Sequence, residues 1–146
     1  MPNRSISFLI HCLDHQISQR NNRRLSQIDL TLPQAVVLDF LFWRQRETVN
    51  QRSLEKFMQL SNPSVTSLLR NMEVKGLVAR ERDESDGRSR NLRLTEKGVA
   101  MHPVAGRIFE ETNEMLAEIL GPEDREVFRG LILRLEKSLI EEERDR

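Results

Sequence analysis

The sequence predicts a mainly α fold with one small β-hairpin, an α+β class, on three observations. Apolar residues recur at helical spacing along most of the chain. Prolines and glycines stand where helices start and stop, Pro33 and Pro63 at openings and Gly76 and Gly121 at ends. Between Leu77-Val78 and Leu92-Leu94, two short apolar alternations flank a turn rich in Asp, Gly and Arg. At 146 residues the chain is long enough for one domain with a real core, so a single domain over 1–146 is expected.

The elements follow in order. A first helix carries Ile6, Leu9, Leu13 and Ile17 on one face, and Phe8, Ile10 and Cys12 widen that stripe. LTLPQAVVLDFLFW opens a second helix over about residues 33–45, with Val36, Val37, Phe40 and Leu41 inward and Trp43 packing into the core beside Phe40 and Phe42. A short third helix in NQRSLEKFMQL starts at Asn50 or Gln51 and buries Leu54, Phe57 and Met58. In SNPSVTSLLRNMEVKG, Ser61 or Asn62 can cap a fourth helix over about 62–75, which Gly76 closes in the left-handed conformation. Val65, Leu68, Leu69 and Met72 then face inward, while Ser64, Thr66, Ser67, Arg70 and Asn71 stay at the surface. After the hairpin, Thr95 caps a long helix that Pro103 is expected to kink or break. Gly121-Pro122 ends it, a last helix runs from Glu123 to about Glu143, and the final EEERDR is expected to be disordered.

Charge is uneven. The net charge of zero comes from 23 basic and 23 acidic residues. Residues 1–43 sum to +1 (4 basic, 3 acidic), 44–98 to +4 (12 and 8) and 99–146 to −5 (7 and 12). One part of the molecule can therefore meet an anionic polymer while another stays acidic. No apolar run approaches the roughly 20 residues of a membrane span, nothing resembles a signal or transit peptide, and the single Cys12 suits a reducing compartment. A cytoplasmic location without membrane contact is expected.

Two short helices joined by a tight turn and followed by a charged hairpin make a winged helix-turn-helix. Asn62, Pro63, Ser64, Thr66 and Ser67 are short enough to bring the helix N-terminus against phosphates and base edges in a major groove. Arg70 and Asn71 reach further, Arg towards guanine and Asn towards adenine, and the hairpin tip brings Arg88 and Arg90 to the neighbouring minor groove. The first and the last two helices hold more apolar surface than one small lobe covers. A two-fold dimer would cover it and set equivalent recognition helices about 34 Å apart, one turn of DNA.

The order LTLPQAVVL, SLEKFMQLSNPSVTSLLRNMEVKGLVAR and RDESDGRSRNLRLTEKG resembles the MarR family of bacterial transcriptional regulators. The resemblance covers essentially the whole chain and is most specific over residues 53–98, with Asp86, Arg88 and Arg90 in the wing and LTEKG at Leu94 to Gly98. It implies a homodimer held by helices in 1–30 and 99–146, with residues 33–98 as the DNA-binding lobe. It further implies a pseudo-palindromic double-stranded DNA operator, and a repressor that a small-molecule effector releases. In such a wing Asp86 orients Arg88 towards the minor groove, and Arg90 is left to the backbone. The effector, an aromatic acid or a drug-like molecule, is expected in the cleft between the dimerisation helices and the lobe, with Pro103 as a candidate hinge.

Other readings stay open. His11 and His15 share a helix face and Cys12 lies between them, so a redox- or metal-responsive regulator is one alternative. Against it, two histidines are not a complete metal site, and the chain has no tyrosine to activate the thiol as in the peroxide-sensing branch of that family. A winged-helix module that binds protein is the other alternative. No catalytic motif, cofactor-binding loop or metal-ligand set is legible, so neither an enzyme nor a cofactor or metal site is expected.

Overall fold

The computed structural model describes residues 5–82 and 90–146. Its elements run α1 (Ile6–Ser26), α2 (Leu32–Phe42), β1 (Val49–Asn50), α3 (Gln51–Met58), α4 (Asn62–Val74), β2 (Val78–Arg82), β3 (Arg90–Leu94) and α5 (Glu96–Arg144). Two compact units emerge, Met1–Phe109 and Glu110–Arg146.

The helix starts of the first unit are set by side chains that satisfy free amides. Ser5 caps α1 by accepting from the Phe8 amide. Thr31 and Gln34 exchange bonds in a capping box at α2, 3.4 Å from the Gln34 amide to Thr31 Oγ1 and 3.1 Å from the Thr31 amide to Gln34 Oε1. Asn50 caps α3 and Ser61 caps α4, which resolves both choices the sequence left open. The end of α4 is a Schellman turn: the Gly76 amide bonds Glu73 O and the Leu77 amide bonds Met72 O, each at 2.9 Å, with Gly76 at φ +72°.

The sheet has the order β1-β3-β2. The hairpin pairs Val78 with Leu94, Arg80 with Leu92 and Arg82 with Arg90, while β1 adds Val49 opposite Leu92. A two-residue strand carries no periodic signal, and β1 was not expected from the sequence. Leu25, Val37, Leu38, Leu54, Val65, Leu69, Met72 and Leu77 form the deepest part of the core.

The expectations for Phe57, Trp43 and the acidic end fail, and of the two outcomes allowed at Pro103 the break does not occur; Phe57, placed inward with Leu54 and Met58, is 54% exposed. Pro103 neither breaks nor ends its helix, whose backbone is non-helical only at Gly121 (φ 76°, ψ 168°). Proline's fixed φ is itself helical, and at exposed Pro103 water can serve the freed carbonyl of Val99. The acidic end is not irregular either: helix persists to Arg144, with Arg146 reaching back to Glu142 at 2.7 Å. Trp43 is not core; it is 71% exposed and caps the end of α2.

In α1, Ile6, Phe8, Leu9, Ile10 and Leu13 are exposed. In the second unit, Phe128, Leu131, Ile132, Leu135 and Leu139 are exposed as well, a helical stripe without a cover in the single chain.

A close contact locks the hairpin's return. A Cβ on Gly98 would sit 2.2 Å from the carbonyl oxygen of Leu77, backbone that cannot swing aside. Gly98→Ala is therefore expected to cost about 1–3 kcal/mol in urea unfolding, whereas Gly130→Ala, inside α5 where a Cβ meets nothing within 4 Å, is expected to stabilise by about 0.4–1 kcal/mol.

Candidate nucleic-acid interface

The tight turn between α3 and α4 begins at Gln59, which is left-handed (φ 53°) and ends α3. α4 then starts at a Ser61 cap, whose hydroxyl accepts from the Ser64 amide, with Pro63, which has no N–H, in its first turn. Val65, Leu69 and Met72 are buried beneath, and Leu68 packs partly against the same core. This anchoring leaves Asn62, Pro63, Ser64, Ser67, Arg70 and Asn71 exposed together on the outer face, with Thr66 half-buried at its edge. Between Ser61 and Met72 there is no carboxylate. Arg70 has no ion-pair partner among the described residues.

Four polar residues that sequence reasoning passed over hold this face in position. Gln51 Nε2 donates to Thr66 Oγ1 at 2.8 Å and to Glu55 Oε1 at 3.1 Å, and Asn62 Nδ2 donates to the same Glu55 oxygen at 2.6 Å. From β2, Arg80 donates to Glu73 on α4 and, at 3.2 Å, to Gln51 Oε1. The network ties α3, α4 and the hairpin together, and its two carboxylates are occupied by donors of the protein itself. One signal of it was legible: Arg80 stands two residues from buried Val78, in the inward phase of β2, where an arginine must find partners.

Of the wing residues, Arg90 opens β3 opposite Arg82, while Asp86 and Arg88 lie outside the described residues. On α1, His11 and His15 are exposed and Cys12 is half-buried. His102 does not join them; its Nε2 bonds Asp39 Oδ1 at 2.9 Å and its ring stacks on Phe42, centroids 3.7 Å apart. No group of three or more His, Cys, Asp or Glu among the described residues could hold a metal ion. No helix among them is long and apolar enough to cross a membrane.

A capped helix presented over a short partner helix and followed by a three-stranded sheet with a hairpin defines a winged helix-turn-helix protein. The chain belongs to the MarR family: residues 30–89 match the model of that family, a family of transcriptional regulators. A crystal structure of the Staphylococcus aureus MepR-DNA complex superposes with a TM-score of 0.84 at 29% identity, covering 93% of this chain and 99% of that one. S. aureus MepR bound to ethidium bromide matches at 30% identity over 93% and 97% of the two chains, with a TM-score of 0.59. The organic hydroperoxide resistance transcriptional regulator of Bacillus subtilis is 29% identical over 96 residues, 66% of this chain; the match spans 64% of that protein's length.

The network yields a contrast in stability. Arg80→Met keeps the stem but strands Glu73 and Gln51, and is expected to cost about 1–3 kcal/mol in urea unfolding. Arg93→Met, which breaks a pair with Glu81 whose two side chains are both more than half exposed, should cost less than about 1 kcal/mol.

Proposed function

We propose that the protein is a homodimeric repressor that binds a pseudo-palindromic double-stranded DNA operator and leaves it when a small molecule binds. The observation that carries the reading is the outer face of α4, where short uncharged side chains and Arg70 include no carboxylate, and the neighbouring Glu55 accepts from Gln51 and Asn62, beside a hairpin rich in arginine. An anionic polymer is the partner such a face suits. Asn62, Pro63, Ser64, Thr66 and Ser67 would seat the helix N-terminus at the major-groove edge, with Arg70 and Asn71 reading bases. Arg88, oriented by Asp86, would enter the minor groove, and Arg90 would contact the backbone.

The division of the chain follows: residues 33–98 as the DNA-binding lobe, 1–30 and 99–146 as dimerisation helices. The uncovered apolar stripes of α1 and of residues 128–139 support it, since a two-fold partner would bury both. MepR, a structural relative, is known in complex with DNA, which supports the same reading. The reading carries with it a cytoplasmic location and no catalytic activity.

Selection of the purified protein on random duplexes at two salt concentrations tests it. Recovery of an inverted repeat with half-sites about one turn apart is the expected result; weak binding without enrichment would sink the proposal. On the selected operator, Arg88→Ala should weaken binding across sequences and flatten the salt slope, by about one unit for a lost phosphate-like contact. Arg70→Ala should instead cost about 1–3 kcal/mol at particular base pairs. Losses equal on every sequence for both variants would contradict the separate roles.

A further inference from the structure

The polar network beside α4 does more than hold the helix, because its bonds have a direction. Gln51 stands at its centre, half-buried at the start of α3, with partners on β2, α3 and α4. An amide side chain can turn over and exchange its oxygen for its nitrogen, and its neighbours decide which end is which. Here they leave no choice. Arg80 Nη1, which only donates, meets Gln51 Oε1 at 3.2 Å, and the Glu55 carboxylate, which only accepts, meets Nε2 at 3.1 Å. A turned amide would set nitrogen against guanidinium and oxygen against carboxylate. Arg80 is itself anchored by Glu73 of α4.

The direction passes on to Thr66. With Nε2 fixed as the donor, the 2.8 Å contact between Gln51 and Thr66 Oγ1 has the amide donating and the hydroxyl accepting. The hydroxyl keeps its proton for another partner, and among the described residues no acceptor takes it, the helix carbonyls behind it included. Thr66 lies one turn beyond Asn62 in the N-terminal half of α4, the part of a recognition helix that meets base edges. A free hydroxyl serves a base donor and a base acceptor alike. Thr66 is not free in that sense. To accept from a base as well, it would leave its proton unpartnered in a contact closed to water, which costs more than the bond returns.

We infer that Arg80 and Gln51 set the hydrogen-bond polarity of Thr66, so that at one base pair of each half-site Thr66 selects a major-groove acceptor and rejects cytosine. Guanine offers N7 and O6 there, adenine N7 and thymine O4, whereas cytosine offers only an amino donor. The inference rests on the reading of α4 as the recognition helix of an operator-binding protein. Thr66 makes the contact, and Gln51 and Arg80 are positioning residues: a charged side chain of the sheet determines what a hydroxyl on the helix reads.

The test compares the full chain and its variants on duplexes that differ from the selected operator at single positions. It is read as the ratio of affinities for two bases at one position, in which any misfolded fraction cancels. Thr66→Val removes the hydroxyl and keeps the shape, and the position where its base preference disappears is the one Thr66 reads. There the wild type is expected to disfavour cytosine about fivefold, the worth of one hydrogen bond. Thr66→Ser, which keeps the hydroxyl, should preserve that ratio. Gln51→Met, which keeps the length of the side chain and removes its amide, should bring the ratio below about twofold while preferences elsewhere in the half-site stand. A merely structural Gln51 would lower affinity on all sequences alike and leave the ratio where it was, and that result overturns the inference. So does a preference for cytosine at the Thr66 position, or a Thr66→Val profile identical to that of the wild type. Any of these on a recovered operator overturns the inference alone, whereas a wild type that enriches no operator overturns the DNA-binding reading and this inference with it.

Discussion

The first unit depends on one junction, where the end of α4 meets the start of α5. The Schellman turn at Gly76 leaves the Gly76 and Leu77 carbonyls facing outward, and Thr95 takes both: its hydroxyl donates to Gly76 O and its amide to Leu77 O at 3.1 Å. The same hydroxyl accepts from the Gly98 amide at 3.1 Å, so one side chain closes α4 and opens α5. Lys97 adds a bond to the Lys75 carbonyl at 2.7 Å. The helix backbone can come this near only because residue 98 has no side chain. LTEKG is thus less a helix start than a clasp, and it sets where the hairpin must leave and return.

Given the clasp, the hairpin's register has little freedom. Val78 and Leu94 pair beside it, which puts Val78, Leu92 and Leu94 on the buried side, and a slip by one residue would turn that set to solvent. Arg80 falls on the inward phase and becomes the bridge to Glu73 and Gln51. The polar face of α4 is then fixed from three directions: its core residues below, Gln51 and Glu55 from α3, and Arg80 from β2. Fixing short side chains before a partner arrives lowers the entropy lost on binding.

These relations explain what was legible in the sequence. Caps, prolines and the Gly76 stop are local signals with local causes, and they located α2, α3, α4 and the start of α5 within a few residues. The face of α4 followed from period alone. Trp43 was misread because an indole at the end of an apolar run looks like core, while its nitrogen is served by Asp39 one turn earlier at the surface. The Asp39–His102 contact spans 63 residues, and nothing near either residue announces it. The break allowed at Pro103 does not occur, and a rule about lost bonds says nothing of whether the freed carbonyl faces water. Local chemistry reads forward from sequence; pairings between distant elements wait for the packing.

The clasp also bears on how a small molecule would act. His102 to Phe109 of α5, which with Ala35, Val36 and Phe57 line a cavity between α2, α3 and α5, belong to the same helix whose first residues are bonded to the end of α4. Between Thr95 and His102 there are two helical turns, and Pro103 does not interrupt them. A ligand between α2 and this stretch would therefore press on an element that cannot move without straining the bonds of Thr95 and Lys97 to the chain at the end of α4. Such an arrangement transmits only what the ligand discriminates: a molecule that fits the cavity equally well in both arrangements of α5 changes DNA affinity not at all, however tightly it binds.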